Sequence, residues 1–324
     1  MFLQSTFYLT LVLDTEKFNK LFDSVYSILK HVDESKYADY ALASKGVIIL
    51  YYDSQYKKKL KLIVNPCQML NSDKPDPEKF IRKLEKRVSN YFNHKYQLND
   101  FELSGMELTT DIDVQSQENV SDYLKVLRRI GKVKGFSPSP DNWLDDDISI
   151  CLDGNSNGIK FMLYNLEALL GEEISEAYFT RMQKSAHDNS EGLLRAEIRL
   201  TKPKAIRGYT NKSSISKQIA DLHDNRQQIF LDTFMRIVPF GNFYKKNKAE
   251  EIIRAKIKDA TIGRRMLWLI GLVPEKKSLL LAQKALNYRR IDKVMKAFFD
   301  IEVAPITIGK RHDIQKLDNL YEYL

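Results

Sequence analysis

The sequence predicts an α+β fold: a doubled βαββαβ, ferredoxin-like antiparallel sheet over residues 1–212, followed by an all-α region over 213–324. Two segments with acidic residues at alternate positions, a repeated element order and a change to helical spacing after Ser214 support this class. In Met106–Val114 (MELTTDIDV), Met106, Leu108, Ile112 and Val114 point to one side of a strand, and Glu107, Thr109, Asp111 and Asp113 to the other. In Leu193–Leu200 (LLRAEIRL), Leu194, Ala196, Ile198 and Leu200 form the apolar face opposite Arg195, Glu197 and Arg199. Each strand therefore has a core face and a charged face.

The first unit opens with a strand at Phe7–Leu13, then Phe18, Leu21, Phe22, Val25, Ile28 and Leu29 at helical spacing. Two β-rich runs follow, Val47–Tyr52 and Leu60–Val64. Asp76 is the expected N-cap of a helix with Pro77 at its first position and Phe80, Leu84 and Val88 on its buried stripe. The Met106–Val114 strand closes this unit and opens the next. There a helix at Ser121–Ile130 precedes strands Ile148–Leu152 and Ile159–Tyr164, joined by a polar turn at Asp153–Gly158. A helix over about Glu172–Lys184 and the strand at Leu193–Leu200 complete the set. Beyond it, Ile219, Leu222, Ile229 and Phe230 fit one helix, and Glu250–Lys258, Gly263–Leu272, Ser278–Leu286 and Ile291–Phe299 fit four more. Short helices with tight turns permit a helix-turn-helix arrangement.

Composition restricts the function classes. The chain has 324 residues and 43% hydrophobic content, enough for a large core. No run approaches the roughly 20 apolar residues of a membrane span, and Phe2–Leu13 reads as a first strand instead of a leader. Cys67 and Cys151 form neither a disulfide framework nor a zinc pattern, which fits a reducing cytoplasm. No phosphate-cradling glycine loop is present, so ATP chemistry is not expected. Charge is divided along the chain. Residues 201–324 hold 25 Lys and Arg against 13 Asp and Glu, whereas residues 1–200 hold 26 against 30. A basic half suits a polyanion, and Arg289, Arg290, Lys293 and Lys296 cluster on its last helix as candidate DNA contacts.

Asp111, Asp113 and Glu197 are hard oxygen donors that would ligate a divalent cation, Mg or Mn, if their strands adjoin. The alternative is a sheet face of cross-strand arginine–carboxylate pairs. The five histidines include no pair spaced by one residue; His187 lies on a loop before the Glu197 strand. Tyrosine is the usual nucleophile when a protein stays attached to a DNA end, and Tyr164 and Tyr209 are the nearest to the charged strands.

The order GMELTTDIDV, SICLDGNSNGIKFMLYNLEAL, LLRAEIRLTKPKAI, with the tail IEVAPITIGKRHDIQKLDNLYEYL, resembles the replication-initiation proteins of Gram-positive plasmids and mobile elements, relatives of the rolling-circle (HUH-like) initiators. The resemblance spans roughly residues 100–324. It implies a Rep-type endonuclease that binds origin duplex and nicks one strand with a metal-assisted tyrosine, leaving a 3′ end for a polymerase. It also implies single-stranded DNA as substrate, a host helicase as partner and a homodimer as an allowed state. The family's acidic strand corresponds to Asp111 and Asp113, and its Arg-x-Glu strand to Arg195 and Glu197, with Arg195 or Arg199 neutralising developing charge. The chain departs from the pattern at Cys151, where a tyrosine is usual, and at Leu166, where a lysine is usual. Either Tyr164 or Tyr209 then serves, or the protein binds origin-like DNA without cutting it.

Overall fold

The computed structural model describes residues 2–55, 57–140, 147–154, 156, 158–174 and 189–324. Ten strands form one sheet in the order β2-β3-β4-β5-β1-β6-β10-β9-β8-β7, every neighbouring pair antiparallel. The strands are β1 (Gln4–Leu13), β2 (Lys30–Asp33), β3 (Lys36–Asp39), β4 (Val47–Asp53), β5 (Lys58–Val64), β6 (Glu102–Asp113), β7 (Phe136–Pro138), β8 (Ser149–Gly154), β9 (Ile159–Asn165) and β10 (Leu193–Leu200). A small second sheet pairs β11 (Phe243–Tyr244) with β12 (Lys316–Leu317).

The helices, apart from the one that opens at Leu166, bury their apolar stripes on one face of the large sheet. On α1 (Thr15–Val25), Phe18 and Phe22 lie against Tyr51. A short α2 (Pro66–Leu70) precedes α3 (Pro77–Tyr91), whose Phe80 stacks on Phe7 of β1 with centroids 6.0 Å apart. Asp76 caps α3 by accepting from the Lys79 amide at 2.7 Å, as its place before Pro77 predicts. In the second set, α4 (Gln117–Leu127) starts four residues earlier than Ser121, because Ser116 accepts from the Asn119 amide and caps it there. Where a helix is expected at Glu172–Lys184, α5 spans Leu166–Ile174, and residues 175–184 lie outside the described residues.

Among the described residues the order departs from two βαββαβ units: β2, β3, β4 and β5 separate α1 from α3, whereas β7, β8 and β9 separate α4 from α5, and position in the sheet differs as well. In the first set the opening strand β1 sits between β5 and the closing strand β6. In the second set the closing strand β10 takes the inner place, between β9 and β6. A strand has only two edges. One edge of β6 is already paired with β1, so β6 cannot also lie between two strands of the second set.

The basic region contains α6 (Pro203–Arg207), α7 (Ile215–Asp224), α8 (Arg226–Ile237), α9 (Lys246–Lys256), α10 (Ala260–Lys276), α11 (Leu279–Leu286) and α12 (Ile291–Asp300). The single helix expected through Ile219 and Phe230 is two, divided at Asn225, whose side chain turns back to the Asp221 carbonyl at 2.9 Å. These helices share the sheet's core: Phe234 of α8 meets Phe161 of β9, and His223 of α7 meets Phe80 of α3. The Tyr123 hydroxyl donates to the Asp318 carbonyl, and Arg129 donates to that of Thr307. Among the described residues no helix is long and apolar enough to cross a membrane.

Candidate functional site

The alternation in β6 and β10 fixes their two faces, and their pairing places the charged faces side by side. Met106, Leu108, Ile112, Leu194, Ala196 and Ile198 are all fully buried beneath the helices. On the opposite face Asp111 pairs with Arg195, Thr109 with Glu197 and Glu107 with Arg199 in register. The Arg195 guanidinium donates to both Asp111 oxygens, at 2.6 and 2.8 Å. This is the two-pronged geometry in which arginine binds a carboxylate most firmly.

Beside that pair, a continuous polar chain crosses four strands. Tyr8 of β1 donates to Glu107 at 2.8 Å. Arg199 lies 3.0 Å from Glu107 and also forms a close ion pair with Glu197. Tyr164 of β9 donates its phenol to Glu197 at 3.2 Å. One guanidinium is thus shared by two carboxylates, each of which accepts from a tyrosine. Burial raises the Glu197 carboxyl above its ordinary range, and the neighbouring Glu107 charge raises it further. Burial likewise pushes the Tyr164 phenol well up, reinforced by Glu197. Lys61 of β5 sits 4.3 Å over the Tyr8 ring, its pKa lowered by burial and by Lys59. Tyr8, Glu107 and Lys61 were absent from the sequence-based site. Their role depends on β1 lying between β5 and β6, which the alternation pattern does not encode.

Each expected metal ligand has another partner in the structure. Asp111 is held by Arg195, and Glu197 lies diagonal to it, a Cα separation of about 7–8 Å in a regular antiparallel pair. Asp113 stands opposite Leu193 at the strand end and accepts from the Gln115 amide at 2.8 Å. Among the described residues no group of three His, Cys, Asp or Glu side chains has a metal-holding arrangement. This face is arranged as arginine–carboxylate pairs.

The two candidate tyrosines occupy different surroundings. Tyr164 is 4% exposed in a small apolar cluster with Cys151, Met162, Leu166 and Leu169. Its hydroxyl has the spacing of a nucleophile and base, yet its ring is covered. Tyr209 follows α6 and packs half-buried against the main core, so the two do not share a cluster. Cys151 faces Met162 across β8 and β9, and burial pushes its thiol up, away from the thiolate a nucleophile needs. His187 lies outside the described residues.

Arg289, Arg290, Lys293 and Lys296 are all exposed, on the turn into α12 and on its outer face, while Val294 and Phe298 anchor the inner face. Lys296 is held by Asp300 at 3.0 Å. The cluster is therefore an accessible cationic surface.

No family model and no curated protein matches the chain. A solved structure described as "Structure of Rolling Circle Replication Initiator Protein from Geobacillus stearothermophilus" aligns over 96% of this chain and 100% of that one, at 12% identity and a TM-score of 0.29. Those values do not establish a shared fold, and the functional reading rests on this chain's own residues.

Proposed function

We propose that this chain is a replication-initiator-like protein that binds DNA through its basic helical region. The observation that supports the reading best is the exposed group Arg289, Arg290, Lys293 and Lys296, in a segment with 25 basic against 13 acidic residues. The replication role draws on the order of the sequence motifs. Titrating the 324-residue chain against a labelled origin-like duplex at several salt concentrations tests the binding. Affinity should fall steeply as salt rises, because lysine and arginine release counterions from the phosphates they neutralise. Binding that is absent at low salt, or indifferent to salt, would reject the reading.

Strand nicking is a second reading, favoured by the 3.2 Å contact between the Tyr164 hydroxyl and Glu197. In that reaction the phenol oxygen attacks phosphorus while Glu197 takes its proton, and the 3′ oxygen leaves. The products are a tyrosyl 5′-phosphate and a free 3′ end. Arg195 and Arg199 would balance the added charge. It requires Leu166 and Leu169 to move off Tyr164, since the ring is covered. A divalent cation on Asp111, Asp113 and Glu197 would further require Asp111 to leave Arg195. Incubating single-stranded DNA with the protein, with and without Mn, should give a denaturation-resistant adduct that Tyr164→Phe abolishes. No adduct under either condition, with duplex binding retained, leaves the protein a DNA binder only.

A further inference from the structure

The helix α10 carries an aromatic feature that its apolar sequence conceals. Met266, Leu269, Ile270 and Val273 are buried, but Trp268 is 52% exposed. Arg265, one turn earlier, lies 5.4 Å from the Trp268 ring and 5.1 Å from that of Tyr288, so its guanidinium is held between two aromatic groups. Thr261, Arg264, Arg265 and Trp268 line a cavity of about 220 Å³. Tyr288 immediately precedes Arg289 and Arg290, which joins this ledge to the exposed basic cluster. The acids on either side of the ledge along the helix are both engaged: Asp259 caps it, accepting from the Thr261 and Ile262 amides, and Glu275 pairs with Lys276 at 2.6 Å.

We infer that Trp268 is a stacking platform for an unpaired DNA base, with Arg264 and the Arg289–Arg290 turn receiving the flanking phosphates. This rests on the DNA-binding reading and adds to it a preference for single strands. The ligand chemistry follows from the ledge itself. Arg265 already supplies the cation between the two rings, so a cationic guest would be repelled. A neutral planar ring carrying an anionic chain matches an exposed indole bordered by arginines. Bases inside a duplex are stacked on each other and present no free π-face, so the base must be unpaired. Arg265 is pre-ordered by Tyr288, which reduces the entropy lost when a strand docks.

The test uses the full chain with Trp143→Phe, leaving Trp268 as the sole tryptophan. Titration with a short oligothymidine should quench its fluorescence. Trp268→Ala in the otherwise wild-type chain should weaken single-strand binding roughly 5- to 150-fold, the range found for one base–aromatic stack, with duplex binding unchanged. Trp268→Phe should restore part of the loss, because it keeps a stacking face. The variants are expected to fold, since this ring is exposed. Equal single-strand affinity for wild type and Trp268→Ala, or equal quenching by polyglutamate, overturns the inference while salt-dependent duplex binding keeps the broader reading standing. Failure of the wild-type chain to bind either DNA at low salt removes both.

Discussion

His223 shows how much one residue can constrain. Its ring is 2% exposed, with one nitrogen 3.2 Å from the Pro75 carbonyl and the other 3.1 Å from the Ser5 hydroxyl. The carbonyl can only accept, so Nε2 carries the proton and Nδ1 accepts from Ser5. Burial lowers the pKa to about 4, helped by the nearby Arg226 charge and opposed by the Pro75 bond and Asp224. The unfolded chain takes up this proton near pH 6.5 and the folded chain only near 4. The associated stability is therefore fully present above about pH 6.5 and is lost progressively as pH falls toward 4, for a total of roughly 3 kcal/mol. Denaturant titrations at pH 7 and pH 4.5 should show a smaller acid-induced loss for His223→Gln than for wild type. Equal losses would mean that His223 is not the group responsible. Asp111→Asn tests the polar face in the same way. It leaves the Arg195 guanidinium short of a charged partner, and a loss of about 1–2 kcal/mol is expected at neutral pH. Unchanged stability would mark the pair as incidental.

At the scale of elements, α3 is positioned by its own ends. Asp76 satisfies an amide of the first turn, Pro77 suits the first helical position, and the stripe Phe80, Ile81, Leu84 and Val88 seats the helix on β1. Asp76→Ala should lower the thermal midpoint by an amount corresponding to about 1 kcal/mol, with the circular dichroism spectrum preserved. A spectrum showing loss of helix would indicate that the cap is required for α3 to form at all. The β6–β10 pair is the matching case in the sheet. Its apolar faces are continuous with the core, so a one-residue slip would drive Arg195, Glu197 and Arg199 inward. Burial of one face thereby sets which charged side chains meet on the other.

Across the whole molecule, charge and function divide unevenly. The sheet carries a balanced array of arginines and carboxylates, and the surplus positive charge lies in the helices behind it. Combining Arg290→Glu with Lys293→Glu should flatten the dependence of log affinity on log salt by roughly 0.9 for each phosphate that is no longer neutralised. An unchanged slope would place the duplex on another surface. The helices share the sheet's core through Phe234, His223 and the Tyr123 and Arg129 hydrogen bonds, so these variants belong in the full chain.

What could be read from the sequence was local. Alternation assigned the faces of β6 and β10 because successive side chains on any strand oppose each other, and the Asp76–Pro77 start of α3 follows from the needs of its first amides. Charge asymmetry singled out Arg289 through Lys296 without knowledge of the fold. The hairpin of β2 and β3 gave no such signal: β2 is exposed throughout and has no alternation to detect. Other features depended on contacts between distant segments. Asp111 meets Arg195 instead of a cation because register sets those two residues opposite each other. Tyr164 is covered because α5 begins at Leu166 and folds back over β9. Trp268 stands exposed because its helix turns the opposite stripe inward. Local pattern specifies which faces are apolar, whereas strand order, register and the meeting of helices are decided by edge pairing and core packing between residues far apart in the chain.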